Sequence, residues 1–315
     1  MSAAVTMGHR GCTAGSFISR PSLPSESPDV ALIDGPSRHV PIGPNGVRAH
    51  PGFAMGLRTS HGIARRLASV RTPASVLAEI LRSDPARPRV TFYEDTPGPT
   101  HGERIELSGK VVNNWISKAG NALQDEYDLG PGSAVRLALP PHWRALYWAF
   151  AVWSVGGTVD CAGDGTPDLL ICDDPDLAAT LDQPPADVVL VTLAALARVH
   201  PGPVPAGVMD EARELATYGD QFSARADPTP DDVALISGRG HTAYKSVVPQ
   251  RDWPKGARVS LSGDLADVLE ATLAAWAVDG SVVLARRGQH AESEARPERL
   301  ASEGVTITLP PLPNS

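Results

Sequence analysis

One short stretch in the last third of the chain combines the residue types with which proteins hold phosphate. A predicted apolar strand, residues 233–236, runs into a loop of glycine and hydroxyl residues that also carries an arginine and a lysine. Glycines let backbone N–H groups turn toward an anion, and cationic side chains neutralise its charge. We therefore predict that any anion or nucleotide binds at the following residues: Ser237, Gly238, Arg239, Gly240, Thr242 and Lys245.

The same loop also fits the pattern G-x-G-x-x-A over residues 238–243, which in dinucleotide-binding proteins follows a strand and opens a helix. Asp264 follows the next predicted strand, where such proteins place an acid for the ribose. Pro249 and Pro254, however, leave room for at most about two helical turns after the glycines. Dinucleotide binding therefore stays an alternative, and so does a surface loop that binds nothing.

The composition is that of an ordinary globular protein, with 42% hydrophobic and 20% charged residues among 315. The formal net charge of −8 argues against nucleic-acid binding, which requires a basic surface. The apolar helical stretches are shorter than the about 20 residues that span a membrane. Cys12, Cys161 and Cys172 are far apart and form no CxxC pair, which favours a reducing, cytoplasmic environment without a zinc framework.

Residues 1–69 differ from the rest because they are rich in arginine and proline and show neither helical nor strand periodicity. Such a segment cannot bury enough apolar surface to fold, so we predict a disordered leader over these residues. No apolar core follows the basic start, which argues against a secretory signal. A translation start near Met55 and a transit peptide are the other interpretations.

From residue 70 onward, short apolar strands alternate with amphipathic helices. Thr72 and Ser108 are of the type that caps a helix start, and Pro73 fits the first helical position. Strands separated by helices are typical of a doubly wound α/β fold with mostly parallel sheets. A proline-rich stretch at residues 201–205 divides the pattern, so we predict two layered subdomains, residues 70–200 and a second, truncated one at 201–315. A helix over residues 209–218 is expected early in the second.

The order of elements between residues 105 and 160 resembles that of a known family. The strand IELS leads into a helix containing WISKAGNAL, and the strand SAVRLALPP, the helix HWRALYWAFAVWSVGG and the strand TVD follow. This succession is similar to the opening of the N-terminal domain of adenylate-forming enzymes, which include acyl-CoA synthetases, nonribosomal adenylation domains and luciferases. The resemblance covers roughly residues 70–310 and extends to short adenylation-domain-like proteins of high-GC Gram-positive bacteria.

The resemblance implies that the loop corresponds to the family signature [ST]-S-G-[ST]-T-G-x-P-K-G, whose backbone amides and hydroxyls hold the phosphates of ATP. Ser237 and Gly238 match that pattern, and Lys245 is displaced by one place. Other signature positions carry different residues: Arg239, Gly240, His241, Ala243 and Ser246. The later family elements, which bind adenine, ribose and magnesium and supply a catalytic lysine, have no counterpart that we find in the sequence.

Other candidate residues have a simpler structural interpretation. The aromatic residues of the predicted helix 142–155 are typical of a buried helix, and His142 of a polar terminus. Aspartates cluster at predicted strand ends, but their spacing matches no calcium loop, so we expect solvated turns and no metal site: Asp160, Asp164, Asp168, Asp173 and Asp174. No GxSxG, HExxH or Cys/His pattern of a hydrolase occurs.

These observations together favour an adenylate-forming-like domain without a complete active site. We expect a non-catalytic binding or regulatory protein whose partner is a small acyl or nucleotide ligand, such as ATP or AMP with magnesium, or another protein. The first alternative is an acyl- or aryl-adenylate-forming ligase that acts with a second chain, because phosphoryl chemistry requires more charge neutralisation than this loop offers. The second alternative is a dinucleotide-binding protein.

Overall fold

The structure, a computed structural model, describes residues 70–163, 165–180, 187–286 and 297–309. These residues fall within one compact unit, Arg65–Ser315. The predicted disordered leader, residues 1–69, lies outside the described residues. Within the described ranges, no helix is both long enough and apolar enough to cross a lipid bilayer.

The described chain alternates between helices and strands. The helices are α1 (Pro73–Ser83), α2 (Gly109–Asp125), α3 (Trp143–Ser154), α4 (Pro175–Thr180), α5 (Glu211–Glu214), which a 3-10 turn (Leu215–Thr217) extends, α6 (Leu265–Ala277) and α7 (Pro297–Ser302). The strands are β1 (Pro88–Glu94), β2 (Arg104–Ser108), β3 (Ala134–Ala138), β4 (Thr158–Asp160), β5 (Leu169–Cys172), β6 (Asp187–Leu190), β7 (Met209–Asp210), β8 (Val233–Ser237), β9 (Gly240–Ala243), β10 (Arg258–Leu261), β11 (Ser281–Arg286) and β12 (Ile307–Thr308).

The strands form two sheets. The first has the order β12-β10-β11-β1-β2, and the second has the order β7-β6-β5-β3-β4-β8-β9. Neighbouring strands are parallel except for the pairs β1–β2 and β8–β9, each of which places an antiparallel strand at a sheet edge. Central strands such as β5, with the sequence LLIC, are buried along their whole length, as expected of a parallel sheet covered on both faces. The predicted α/β class with mostly parallel sheets is confirmed.

Helix α3 contacts both sheets and is buried on every side except at Ser154. It packs against β1 of the first sheet and against β3 and β4 of the second. Phe150 meets Trp276 of α6 with ring centroids 4.6 Å apart, and the Trp153 indole N–H donates to the carbonyl of Ala234 in β8 at 2.7 Å. The interpretation of these aromatic residues as core is therefore confirmed.

Both predicted helix caps are present. The Thr72 hydroxyl accepts from the backbone N–H of Ser75 at 3.2 Å, and Pro73 occupies the first helical position of α1. The Ser108 hydroxyl accepts from the backbone N–H of Val111 at 3.3 Å at the start of α2. These side chains satisfy N–H groups that a helix start leaves without an internal partner.

The predicted helix over residues 209–218 is shorter in the structure, where α5 and the 3-10 turn cover residues 211–217. Met209 and Asp210 form β7 instead, because their backbone pairs in parallel with Val189 and Leu190 of β6. Helix α5 and the 3-10 turn follow directly, so pairing at the sheet edge has replaced only the first two residues of the predicted helix.

Each sheet contains strands from both sides of residue 200, the predicted boundary between two subdomains. The first sheet joins β1 and β2 to β10, β11 and β12, and the second joins β3 to β6 with β7, β8 and β9. The sheets therefore do not follow the predicted boundary at residue 200. The division into two subdomains at that residue stays a prediction.

A close approach of three backbone segments occurs at Gly280, between α6 and β11. A Cβ atom at this position would lie 2.3 Å from the carbonyl oxygen of Ala257 and 2.6 Å from that of Ala275. The N–H of Gly280 donates to the same Ala275 oxygen at 2.8 Å. Because both obstacles are backbone atoms, a side chain cannot be accommodated without moving β10 or α6.

A buried carboxylate attaches the last described residues to the first sheet. Glu303 accepts from Arg258 at 2.6 Å, from Arg104 at 2.9 Å and from the hydroxyl of Tyr93. Burial alone would raise the pKa of Glu303, but these hydrogen bonds lower it to about 2. The charged form of Glu303 thus stabilises the contact between the end of α7 and strands β1, β2 and β10.

We expect Gly280→Ala to lower the free energy of unfolding by at least about 2 kcal/mol, since the added methyl overlaps backbone atoms. Gly238→Ala is the matched control, because a Cβ there meets nothing within 4 Å and the residue has no positive φ. It should change stability by less than about 0.5 kcal/mol. Urea denaturation measures both, and a Gly280→Ala protein as stable as the wild type would show that the packing at this turn is looser than described.

The depressed pKa of Glu303 predicts a loss of stability in acid. The folded value of about 2 lies below the ordinary value of 4.5, so the contribution is complete above pH 4.5 and is lost as the pH falls toward 2. Glu303→Gln should therefore lower stability at pH 7, by about 1–3 kcal/mol, and flatten its decline between those pH values.

The matched control for this prediction is Glu106→Gln. Glu106 also binds Arg104, at 2.8 Å, but its side chain is exposed, so its removal should cost less than about 1 kcal/mol. Unfolding midpoints measured from pH 7 down to the acid transition test both variants. An equally steep acid decline in Glu303→Gln and in the wild type would contradict the assignment.

Candidate functional site

The segment that the sequence marks as phosphate-binding is a tight β-hairpin. β8 ends at Ser237 and β9 begins at Gly240, so that only Gly238 and Arg239 form the turn. Gly240 has a φ of 108°, which glycine adopts without strain. The Ser237 hydroxyl accepts from the backbone N–H of Arg239 at 3.3 Å. A closed turn, not an open loop, therefore stands at the carboxyl end of β8.

The Arg239 side chain at this turn binds two carboxylates of α6. One guanidinium nitrogen donates to Asp267 at 2.6 Å, and the other lies 3.3 Å from Glu270. Helix α6 packs on β10 and β11 of the first sheet, whereas the hairpin belongs to the second. Arg239 therefore links the carboxyl edges of the two sheets, and its charge is already neutralised.

Lys245 lies beyond the other end of β9. Its ammonium pairs with Asp231 in a largely exposed position. The four residues of β9 rise roughly 13 Å, so the strand separates Lys245 from Arg239, and the two cations bind different carboxylates.

Tyr244 fixes the base of the hairpin. Its hydroxyl donates to the carbonyl of Gly157, just after α3, at 2.7 Å, and its ring is buried. Burial raises the pKa of Tyr244, so the hydroxyl remains a donor. Tyr244 thus packs the hairpin against the body of the protein.

The turn brings four of the predicted binding residues together: Ser237, Gly238, Arg239 and Gly240. Thr242 is half-buried within β9, and Lys245 lies past the end of that strand. A Cβ atom at Gly238 or at Gly240 would meet no atom within 4 Å, so open space borders both glycines. The predicted site is therefore an accessible turn that carries one cation, Arg239. The second predicted cation, Lys245, lies at the other end of β9.

The dinucleotide interpretation is wrong on geometry. It requires a helix whose amino end faces the ligand directly after the glycines. Residues Gly240–Ala243 form an antiparallel strand instead, and the backbone N–H of Tyr244 continues that pairing by donating to Asp232.

A buried ion pair that the sequence does not reveal lies at the start of α3. Arg144 donates to Glu211 at 2.8 Å and to the carbonyl of Ala194 at 3.0 Å, and the Tyr147 hydroxyl donates to the same carboxylate. Burial raises the pKa of Tyr147 well above its usual range, so this hydroxyl stays protonated. The group holds α5 and the segment after β6 against α3. Because Arg144 and Glu211 are 67 residues apart, the only sign in the sequence was an arginine in an apolar helix.

His142 is a polar helix terminus, as its position in the sequence predicts. Its Nδ1 accepts from the backbone N–H of Arg144 at 3.1 Å, and its ring contacts Phe92 of β1 with centroids 4.3 Å apart. Burial, together with the charge of Arg144, lowers the pKa of His142 well below its usual value. The ring is therefore neutral and caps α3 while joining it to the first sheet.

The aspartates at the strand ends support the backbone. Asp160, Asp168 and Asp174 each accept hydrogen bonds from backbone N–H groups, whereas Asp164 lies outside the described residues. Across the ranges that the structure describes, no group of three or more His, Cys, Asp or Glu side chains could hold a metal ion. Cys161 follows β4 directly, but burial raises the pKa of its thiol to about 12, which disfavours a thiolate nucleophile.

Solved structures with the same fold include several adenylate-forming enzymes. The N-terminal domain of FACL13 from Mycobacterium tuberculosis superposes with a TM-score of 0.55 at 13% identity, over 76% of this chain and 62% of that one. The nonribosomal peptide synthetase FmoA3 in its AMPPNP-bound form gives 0.56 at 17% identity, over 76% of this chain and 25% of that one. NpsA from Klebsiella oxytoca, in complex with 3-hydroxyanthranilyl-AMSN, gives 0.53 at 15%, over 76% and 47%.

At these identities the structures show the fold, and the chain spans less than two thirds of each of them. The fold is that of the N-terminal domain of adenylate-forming enzymes. No family model matches the chain. A TIGR03089 family protein from Mycobacterium tuberculosis (strain ATCC 25618 / H37Rv) is 32% identical over 252 residues, which are 75% of this chain and 96% of that protein. An identity of this level over nearly the whole relative shows that the chain belongs to the TIGR03089 family.

Proposed function

We propose that the protein uses its adenylate-forming fold to bind a small ligand and does not itself form adenylates. The observation that carries this proposal is that the protein's own carboxylates already pair with both cations of the predicted phosphate site. Arg239 binds Asp267 and Glu270, and Lys245 binds Asp231.

Adenylate formation needs positive charge that is free to face the phosphates as charge shifts in the transition state. At this hairpin a triphosphate would approach one arginine together with the two carboxylates of α6 that hold it. Magnesium would need oxygen ligands near the phosphates. The candidate carboxylates, Asp267 and Glu270, are engaged by Arg239, so this arrangement does not fit a magnesium–ATP complex.

The ligand that we propose is a small acyl or nucleotide anion at the turn formed by Ser237, Gly238, Arg239 and Gly240. In open α/β sheets, ligands bind beyond the carboxyl ends of the strands, where this turn stands. Open space borders both glycines, and Arg239 is 45% exposed, so it can exchange a carboxylate for a ligand anion. We also propose that the protein is cytoplasmic and has a regulatory role, which it exerts through this ligand or through a protein partner.

We expect the purified protein to show no carboxylate-dependent exchange of pyrophosphate into ATP. Without an unpaired cation at the hairpin, the charge that develops in the transition state has no counterpart at this site. The assay uses fatty, aryl and amino acids with magnesium, and an active adenylate-forming enzyme serves as its positive control. Exchange above background by the protein alone would overturn the proposal. Exchange that appears only with a second protein would favour the ligase that acts with another chain.

The double variant Arg239→Ala/Lys245→Ala should abolish any rise in melting temperature that ATP, AMP or an acyl-adenylate analogue causes in the wild type, because ligand binding to the native state stabilises by mass action. The melting temperature of the free protein should barely change, since partly exposed ion pairs contribute less than about 1 kcal/mol each. The control Arg225→Ala/Lys110→Ala removes the same charge at exposed positions and should retain the ligand shift.

A second double variant makes this test sharper. Asp267→Asn/Glu270→Gln leaves Arg239 in place but removes the charges that compete with a ligand anion. It should increase the nucleotide shift, with and without magnesium. If neither double variant alters the shift, the ligand binds elsewhere in the protein.

A further inference from the structure

A cavity of about 320 Å³ lies at the opposite edge of the first sheet from the hairpin. It is formed where α1 and α6 end, next to the amino ends of β10 and β11. Its apolar wall consists of Ala277 and Val278, which are partly exposed, with Ile80 and Trp276 buried behind them. Four charged residues surround it: Arg71, Glu79, Lys255 and Asp279.

Three of these charged residues are already committed to ion pairs. Arg71 binds Glu79. Asp279 accepts from Arg89 at 2.8 Å and from the hydroxyl of Ser83 at 2.9 Å. Lys255 is exposed and has no ion-pair partner among the described residues. The cavity therefore offers one cation that no carboxylate of its own surroundings neutralises.

The apolar wall is held in place from behind. The Trp276 indole N–H donates to the carbonyl of Arg89 at 3.4 Å, and its ring packs on Phe150. The buried guanidinium of Arg89 also binds the carbonyl oxygens of Asp279 and Gly280, at 2.8 and 3.0 Å. The wall is thus pre-formed, as is usual for small-molecule sites.

We propose that this cavity binds a small monocarboxylate with a short apolar body, such as an arylacetate. The Lys255 ammonium would bind the carboxylate, and the surface formed by Ala277 and Val278 would cover the apolar part. A volume of about 320 Å³ is at the lower limit for ligand pockets, which excludes long acyl chains and nucleotides. This site is separate from the hairpin and does not depend on the function proposed there.

Isothermal titration of the full chain with phenylacetate, phenylacetamide and phenethylamine tests the charge preference. Saturable binding of phenylacetate is expected, with at least tenfold weaker binding of the neutral amide and of the amine. Equal binding of the amide would overturn the proposal, and so would the absence of saturable phenylacetate binding.

Substitutions at two positions, Lys255 and Ala277, locate the site. Lys255→Met should weaken phenylacetate binding at least tenfold, Lys255→Arg should retain most of it, and the control Lys110→Met, at an exposed lysine of α2, should leave it unchanged. Ala277→Phe should fill the cavity and abolish binding without a change of charge, and its melting temperature shows whether it folds. Unaltered affinity in Lys255→Met would assign the carboxylate to another site.

Discussion

The position of helix α3 between the two sheets is the constraint on which the other contacts depend. Every residue of this helix except Ser154 is buried, five of them are aromatic, and burying each large apolar side chain stabilises the fold by about 1.5–3 kcal/mol. The helix also fixes the two strands of the candidate site, β8 and β9. Trp153 holds β8 through the carbonyl of Ala234, and the carbonyl of Gly157 just beyond the helix holds the base of β9 through Tyr244. A displacement of α3 would therefore move the hairpin together with the second sheet.

The chain has a net charge of −8, and its acidic side chains pair with arginines that join separate elements of the fold. Arg239 links the hairpin to α6 through its ion pairs with Asp267 and Glu270. Arg144 serves a similar purpose inside the protein, where it compensates the buried carboxylate of Glu211. A buried pair of this kind costs desolvation on both sides, and removal of either partner would leave an uncompensated charge. In both places arginine fixes one element to another.

The sequence allowed prediction of those features that depend on neighbouring residues or on a repeated pattern. The caps at Thr72 and Ser108 and the all-apolar helix α3 are local signals, and they are present in the structure. The hairpin was missed although β9 pairs with the strand directly before it, because the glycine spacing fits an open loop equally well. Strand β7 was missed because its two residues pair with β6, about 20 residues earlier in the chain. The contacts of Arg239 with Asp267 and of Arg144 with Glu211 join segments that are distant in sequence. The periodicity of the sequence therefore does not reveal them.

Helix α6 extends from the hairpin turn to the cavity beside Lys255, since Asp267 and Glu270 lie near its start and Trp276 near its end. Its 13 residues span about 20 Å, and its buried side chains, including Leu269 and Leu273, pack against the first sheet. Coupling between two sites requires an element with two arrangements that both ligands bias. A helix held along its length by the sheet, and at its end by the close approach at Gly280, has little freedom to shift. We therefore expect an anion at Arg239 and a carboxylate at Lys255 to bind independently, each with its own effect on stability.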